Sequence, residues 1–250
     1  MDDGPDLEAL AATAAQVARE WNLEPGPPFR LTRYSLVAPA GAQAVVKIVP
    51  PEDDEADEEA DALTLWNGDG AVRLLRHDRT RRALLLERAV PGHDLAKLLE
   101  DEATRVAVEV AGRLWRPAAA PPFRSVHDHV PRWLANARRH PLTSLARDLY
   151  AQLDRRAGVL VHGDFHHHNI LRSDRGWLAI DPKPMLGEPE YDVASFLWNP
   201  LPCRQRYEHV EARLAAFAAA GLDEGRMRAW TVIRGAYLQP QDAEALRALV

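Results

Sequence analysis

Asp164, Asn169 and Asp181 are the side chains whose types and spacing most clearly suggest chemistry. They lie in Val161-His162-Gly163-Asp164-Phe165-His166-His167-His168-Asn169-Ile170-Leu171 and, shortly after, in Ile180-Asp181-Pro182. Asp164 and Asn169 have D-x-x-x-x-N spacing, in which the acid accepts a proton from an attacking hydroxyl and the amide oxygen ligates a metal during phosphoryl transfer. Between Asn169 and Asp181, Ile170-Leu171-Arg172 and Trp177-Leu178-Ala179-Ile180 flank Ser173-Asp174-Arg175-Gly176, a hairpin pattern. Folding it brings the open ends side by side, at roughly 4.5–5.5 Å between Cα atoms, so Asn169 and Asp181 are expected to face one space. Hard oxygen ligands together with phosphate oxygens are what Mg²⁺ prefers. The plainer reading makes Asp and Asn ordinary turn formers. Three polar groups in a strand–turn–strand context with apolar flanks favour the chemical one.

A second set of residues reads as a nucleotide site for ATP. Lys47 ends Ala44-Val45-Val46-Lys47, a strand whose side chains alternate, so Val45 and Lys47 share a face. Val45 is placed to pack on a base and Lys47 to meet phosphate oxygens. Downstream, Glu55, Glu59, Leu63 and Trp66 fall on one side of a helix. Leu63 and Trp66 must face the core, so Glu59 projects inward with them and can pair with Lys47. Leu84-Leu85-Leu86-Glu87-Arg88-Ala89 runs into a hinge whose backbone groups, from Glu87 to Ala89, can bond adenine; Leu171 and Ile180 offer an apolar floor.

Several elements must position these groups. Leu7, Leu10, Ala14, Val17, Ala18 and Trp21 predict a helix over 6–21. Strands are expected at Phe29–Thr32, Tyr34–Ala38 and Gln43–Val49, the last two joined by a turn at Pro39-Ala40-Gly41, then a helix closed by Asn67-Gly68-Asp69-Gly70 and a hairpin of Val72–His77 with Ala83–Arg88. After Pro91-Gly92 the pattern becomes helical, over 93–115, 125–139, 143–157, 204–220 and 223–238, interrupted only by a Val159–Val161 strand and the catalytic hairpin. The fold class is therefore α+β: a sheet-rich lobe, 1–88, and a mostly helical lobe, 89–250, with a cleft expected between them.

Composition narrows the function. The net charge of −6 argues against a nucleic-acid partner, which calls for a basic face. No segment approaches the ~18–20 apolar residues of a membrane span. The acidic start Met1-Asp2-Asp3 is unlike a secretory signal, and the single Cys203 excludes an intrachain disulfide. A cytoplasmic enzyme acting on a small molecule is the expectation; oligomeric state is not legible.

The chain resembles the aminoglycoside phosphotransferase family, and within it the streptomycin 6-kinase and hydroxyurea kinase branch. The likeness runs from about Trp21 to Tyr237 and rests on V-H-G-D-F-H-H-H-N-I-L, W-L-A-I-D-P-K and G-E-P-E-Y-D-V-A-S-F-L-W-N-P. Val46-Lys47-Ile48, Glu59–Trp66, Gly70–Leu75 and Leu84–Arg88 add to it. It implies a bilobal protein-kinase-like fold and ATP-dependent phosphorylation of a small-molecule hydroxyl. Asp164 becomes the catalytic base, Asn169 and Asp181 the Mg²⁺ ligands, and Lys47 with Glu59 the phosphate-positioning pair. Asp192 resembles a residue that braces the catalytic loop, but it also reads as an N-cap for a Val193–Trp198 helix, and we take that structural reading. The chain departs from the pattern at Leu31-Thr32-Arg33-Tyr34, where relatives favour glycines that let backbone approach phosphate.

The triple His166-His167-His168 also admits a zinc reading, in which His166 and His168 cooperate; the phosphoryl-transfer loop explains the segment better. For a cationic acceptor, Glu188 and Glu190 are the candidate acids. Trp115, Trp133, Trp198 and Trp230 are either acceptor walls or core, and core is favoured. Two alternatives remain: a kinase of another small metabolite such as a sugar or amino alcohol, and a nucleotide-binding regulator that has lost turnover.

Overall fold

The α1 helix, Leu7–Trp21, buries Leu10, Ala14, Val17, Ala18 and Trp21 along one face. They pack on alternate residues of an antiparallel sheet, among them Leu36, Ala38, Val46, Ile48 and Ala83. The strands are β1 (Arg30–Thr32), β2 (Ser35–Ala40), β3 (Ala44–Ile48), β4 (Leu74–Asp78) and β5 (Ala83–Glu87), ordered β1-β2-β3-β5-β4. Because Val46 and Ile48 point into that core, Val45 and Lys47 occupy the opposite face. The helix α2, Glu59–Trp66, buries Glu59, Leu63 and Trp66, and ends at Asn67 in the left-handed conformation, φ +47°. The turn after β2 starts at Gly41, so Pro39 and Ala40, expected in the turn, belong to the strand. This computed structural model describes residues 7–32, 35–51, 53, 58–137, 141–156, 158–200, 207–238 and 243–250. Glu55, Arg33, Tyr34 and Cys203 lie outside them.

The chain forms two compact units. One joins residues 1–93 to Leu171–Lys183; the other comprises Asp94–Ile170 and Pro184–Val250. The hairpin of β8 (Ile170–Ser173) and β9 (Gly176–Ala179) thus groups almost wholly with the N-terminal sheet. Within that unit Arg172 donates to His93 O and Val72 to Ala179 O. Arg175, at the hairpin turn, donates to both Glu87 oxygens (2.7 and 2.6 Å) and to Gly68 O (3.0 Å).

The second unit holds α3 (Glu100–Leu114), α4 (Val126–Asn136), α5 (Thr143–Gln152), α6 (Pro189–Trp198), α7 (Tyr207–Ala219), α8 (Glu224–Leu238) and α9 (Ala243–Arg247). It also holds a small sheet of β6 (Arg116–Pro117), β7 (Val159–Val161) and β10 (Met185–Gly187), ordered β10-β7-β6. Three of the helices, α3, α4 and α5, are shorter than expected, and residues 204–206 of another expected helix lie outside the described residues. Residues 95–97 form a 3-10 turn and Leu99 is extended, so α3 starts at Glu100 rather than near 93. The strand β10 was not anticipated, and α6 starts at Pro189, earlier than the expected Val193. Proline suits that first helical position because it lacks an N–H. Every residue of α6 after Pro189 is buried, which makes it the spine of this unit. No helix among the described residues is long and apolar enough to cross a membrane.

Candidate active site

In the first unit, strand β3 and helix α2 set Lys47 against Glu59. Lys47 Nζ lies 2.7 Å from Glu59 Oε2 and 2.5 Å from Asp181 Oδ1. Lys47 is 4% exposed and Glu59 fully buried. Burial works against the Lys47 charge, but the Asp181 and Glu59 carboxylates outweigh it and raise its pKa, so the ammonium persists. Burial likewise raises the Glu59 carboxyl. Its second oxygen, Oε1, is buried and accepts no hydrogen bond among the described residues. Asp181 follows the hairpin with φ +54°, a left-handed conformation that Asp tolerates better than most residues. Its side chain is 36% exposed, so the carboxylate that holds Lys47 also reaches solvent.

The nucleotide-wall residues are partly accounted for. Val45 shares the Lys47 face, and Val45, Ala89, Leu171 and Ile180 are all half-buried. At Glu87 the N–H donates to Arg73 O (2.9 Å) and the carboxylate grips Arg175, so of its backbone groups the N–H is already engaged. The next N–H, on Arg88, donates to Gln43 O.

In the second unit, Asn169 Nδ2 donates to Asp164 O (2.9 Å) and to Asp164 Oδ2 (3.0 Å). That fixes the carboxylate and turns the Asn169 carbonyl oxygen away from it. Burial opposes ionisation of Asp164, but hydrogen bonding from His166 and nearby positive charge prevail, holding its pKa below the usual value. The preceding Gly163, at φ +83°, is in the left-handed region that favours glycine.

Asp192 is not an N-cap. It lies inside α6, and its carboxylate accepts from His162 N–H (2.7 Å), Gly163 N–H (2.8 Å) and Trp115 Nε1 (3.0 Å). It therefore braces the loop that carries Asp164. From α8, Arg234 donates to Gly163 O (2.7 Å) and Tyr191 O (3.0 Å), clamping the same loop. Sequence reasoning missed Arg234. Its signal was a lone cation in Trp230-Thr231-Val232-Ile233-Arg234-Gly235-Ala236, a run that is buried throughout.

The three histidine rings serve three neighbours. His166 Nε2 is 3.4 Å from Asp164 Oδ2, His167 stacks on Phe196 at 4.2 Å, and His168 Nδ1 is 2.7 Å from Asp94. Among the described residues, no group of three or more His, Cys, Asp or Glu is placed to hold a metal.

The acids expected to meet a cationic acceptor are committed elsewhere. Glu188, 3% exposed, takes Arg226 Nε at 2.9 Å and Trp230 Nε1, while Glu190 accepts from Asp223 N–H at 3.2 Å. Trp198 and Trp230 are core, at 4% and 0% exposed; Trp115 and Trp133 are half-buried.

Solved structures identify the fold as that of small-molecule kinases, an α+β protein-kinase-like fold. A choline/ethanolamine kinase family protein from Mesorhizobium loti superposes with TM-score 0.63 at 16% identity, covering 97% of this chain and 90% of that one. A thermostable mutant of aminoglycoside phosphotransferase APH(4)-Ia gives 0.61 at 16% identity, covering 93% and 95%. Residues 20–239 match the model of the aminoglycoside/hydroxyurea antibiotic resistance kinases, and the chain belongs to that family. It is a small-molecule kinase. The hydroxyurea phosphotransferase of Kitasatospora aureofaciens is 31% identical, over 95% of this chain and 75% of that protein. The streptomycin 3''-kinase of Klebsiella pneumoniae is 35% identical over 76% of each, and the streptomycin 6-kinase of Streptomyces glaucescens 30% over 90% and 80%.

Proposed function

We propose that this kinase transfers the γ-phosphoryl group of ATP to a hydroxyl of streptomycin, a related aminoglycoside or hydroxyurea, and so inactivates an antibiotic. The observation that carries the reading is the buried Lys47 ammonium held jointly by Glu59 and Asp181, a fixed cation beside a solvent-reaching carboxylate. In this reading Lys47 meets phosphate oxygens, with Val45, Ala89, Leu171 and Ile180 against the base. The donor set suits Mg²⁺: Asp181 offers a carboxylate, and Asn169, whose amide nitrogen is taken by Asp164, offers its carbonyl oxygen. When bound, the metal offsets charge on the transferring group. Asp164, kept ionised, orients the acceptor hydroxyl and takes its proton late in the step. Catalysis is then mostly positioning and electrostatics. We place the reaction in the cytoplasm, in keeping with a single cysteine.

The test pairs two variants, with ADP release measured against streptomycin and hydroxyurea and nucleotide binding measured by calorimetry. Asp164→Asn is expected to lose transfer and keep MgATP affinity. Asp181→Asn is expected to lose the Mg²⁺-dependent part of binding. Wild-type turnover by Asp164→Asn would overturn the assignment.

A further inference from the structure

Among the described residues, two side-chain nitrogens approach the Asp164 carboxylate, and both address the same oxygen. Asn169 Nδ2 is 3.0 Å from Oδ2, and His166 Nε2 is 3.4 Å from it. Contacts of this kind are often long before substrate binds and tighten in the reacting complex. The His166 ring is itself held. Its backbone is extended, φ −152° and ψ 173°, at the entrance to the 3-10 turn His167–Asn169. From there Nδ1 accepts the backbone N–H of His168 at 3.2 Å. An accepting nitrogen carries no proton, so the neutral ring bears its hydrogen on Nε2, the nitrogen that faces Asp164. His168 is tethered in turn, with Nδ1 2.7 Å from Asp94 Oδ2.

We propose that His166 is a positioning residue for phosphoryl transfer: its Nε2–H anchors Asp164 Oδ2 and leaves Oδ1 as the oxygen turned to the acceptor hydroxyl. This rests on Asp164 being the proton acceptor. In the step so organised, the acceptor oxygen bonds to the γ-phosphorus, the bond to the ADP oxygen breaks, and the hydroxyl proton passes to Oδ1. His166 exchanges no proton; it fixes which carboxylate oxygen is available.

Two isosteres separate this role from simple turn capping. Asn at 166 places a carbonyl oxygen where Nδ1 accepts from His168, but no donor at the Nε2 position. Gln places an N–H near Nε2. His166→Asn is expected to lose kcat by roughly 10²-fold with the KM for MgATP nearly unchanged, and His166→Gln to recover most of it. ADP release is followed with streptomycin, with hydroxyurea, and with water as the only acceptor. His166→Asn turning over like wild type while Asp164→Asn is inactive would overturn the His166 role alone. An active Asp164→Asn would remove the base assignment and this proposal with it. A long-range ¹⁵N–¹H histidine spectrum of the wild-type chain gives a readout independent of turnover. The signal that disappears in His166→Asn is expected to be the Nε2–H tautomer, and an Nδ1–H tautomer would refute the arrangement.

Discussion

His167 makes a sharp prediction about pH and stability. The side chain is 2% exposed, its ring lies 4.2 Å from that of Phe196 with planes 7° apart, and neither nitrogen has a hydrogen-bond partner among the described residues. The Arg213 guanidinium stands 5.0 Å from the centroid of that same Phe196 ring. Burial first, and the Arg213 charge second, push the imidazole from 6.5 down to about 2. The folded protein therefore keeps His167 neutral at pH values where the unfolded chain protonates it. Its stabilising contribution is complete above the unfolded value of 6.5 and is lost progressively as pH falls towards the folded one. Each pH unit below the unfolded value costs about 1.4 kcal/mol, so moving from neutrality to pH 5 costs about 2 kcal/mol. Urea unfolding of wild type and His167→Phe, each at about pH 7 and pH 5, isolates the effect. All other titrating groups are shared, so the difference between the two pH-induced losses belongs to His167. Wild type is expected to lose about 2 kcal/mol more than the variant. Equal losses would refute the reasoning.

Three further variants probe the braces of the site. Lys47→Met strands the buried Glu59 carboxylate and should cost about 3–5 kcal/mol in thermal or urea unfolding, most of it regained in Lys47→Met/Glu59→Leu. A double variant less stable than the single one would contradict this. Asp192→Ala removes the acceptor of two buried N–H groups and of the Trp115 indole, so stability should drop by about 2–5 kcal/mol. Its kcat should fall with it, because the loop bearing Asp164 loses its brace; unchanged kcat in the folded variant would count against the bracing role.

The residues that follow local rules were readable from sequence. Alternation along β3 placed Lys47 opposite the α1 core, and helical spacing turned Glu59 inward; the two side chains meet at 2.7 Å. The hairpin after Asn169 was evident from its apolar runs and its Gly-containing turn. Other residues depend on partners far along the chain. Asp192 has the composition of an N-cap, and only the approach of His162, Gly163 and Trp115 shows that its carboxylate serves the loop instead. Glu188 looked free to meet a cation until Arg226 and Trp230 arrived from α8 to occupy it. Arg234 was passed over because helical periodicity says nothing of a carbonyl such as that of Gly163, distant in sequence. The short strands β6 and β10 exist through pairing with β7, and neither has enough residues to show a period of its own.

The grouping of Leu171–Lys183 with residues 1–93 also bears on the order of events during synthesis. A ribosome that has delivered β3 and α2 has supplied Lys47 and Glu59 but not the second acid. The cation waits, half-partnered, while the whole of Asp94–Ile170 is translated, and Asp181 completes its seat only once the hairpin emerges from the exit tunnel. A nascent chain stalled after β5 but before that point carries every strand of the N-terminal sheet and still lacks the second acid at Lys47.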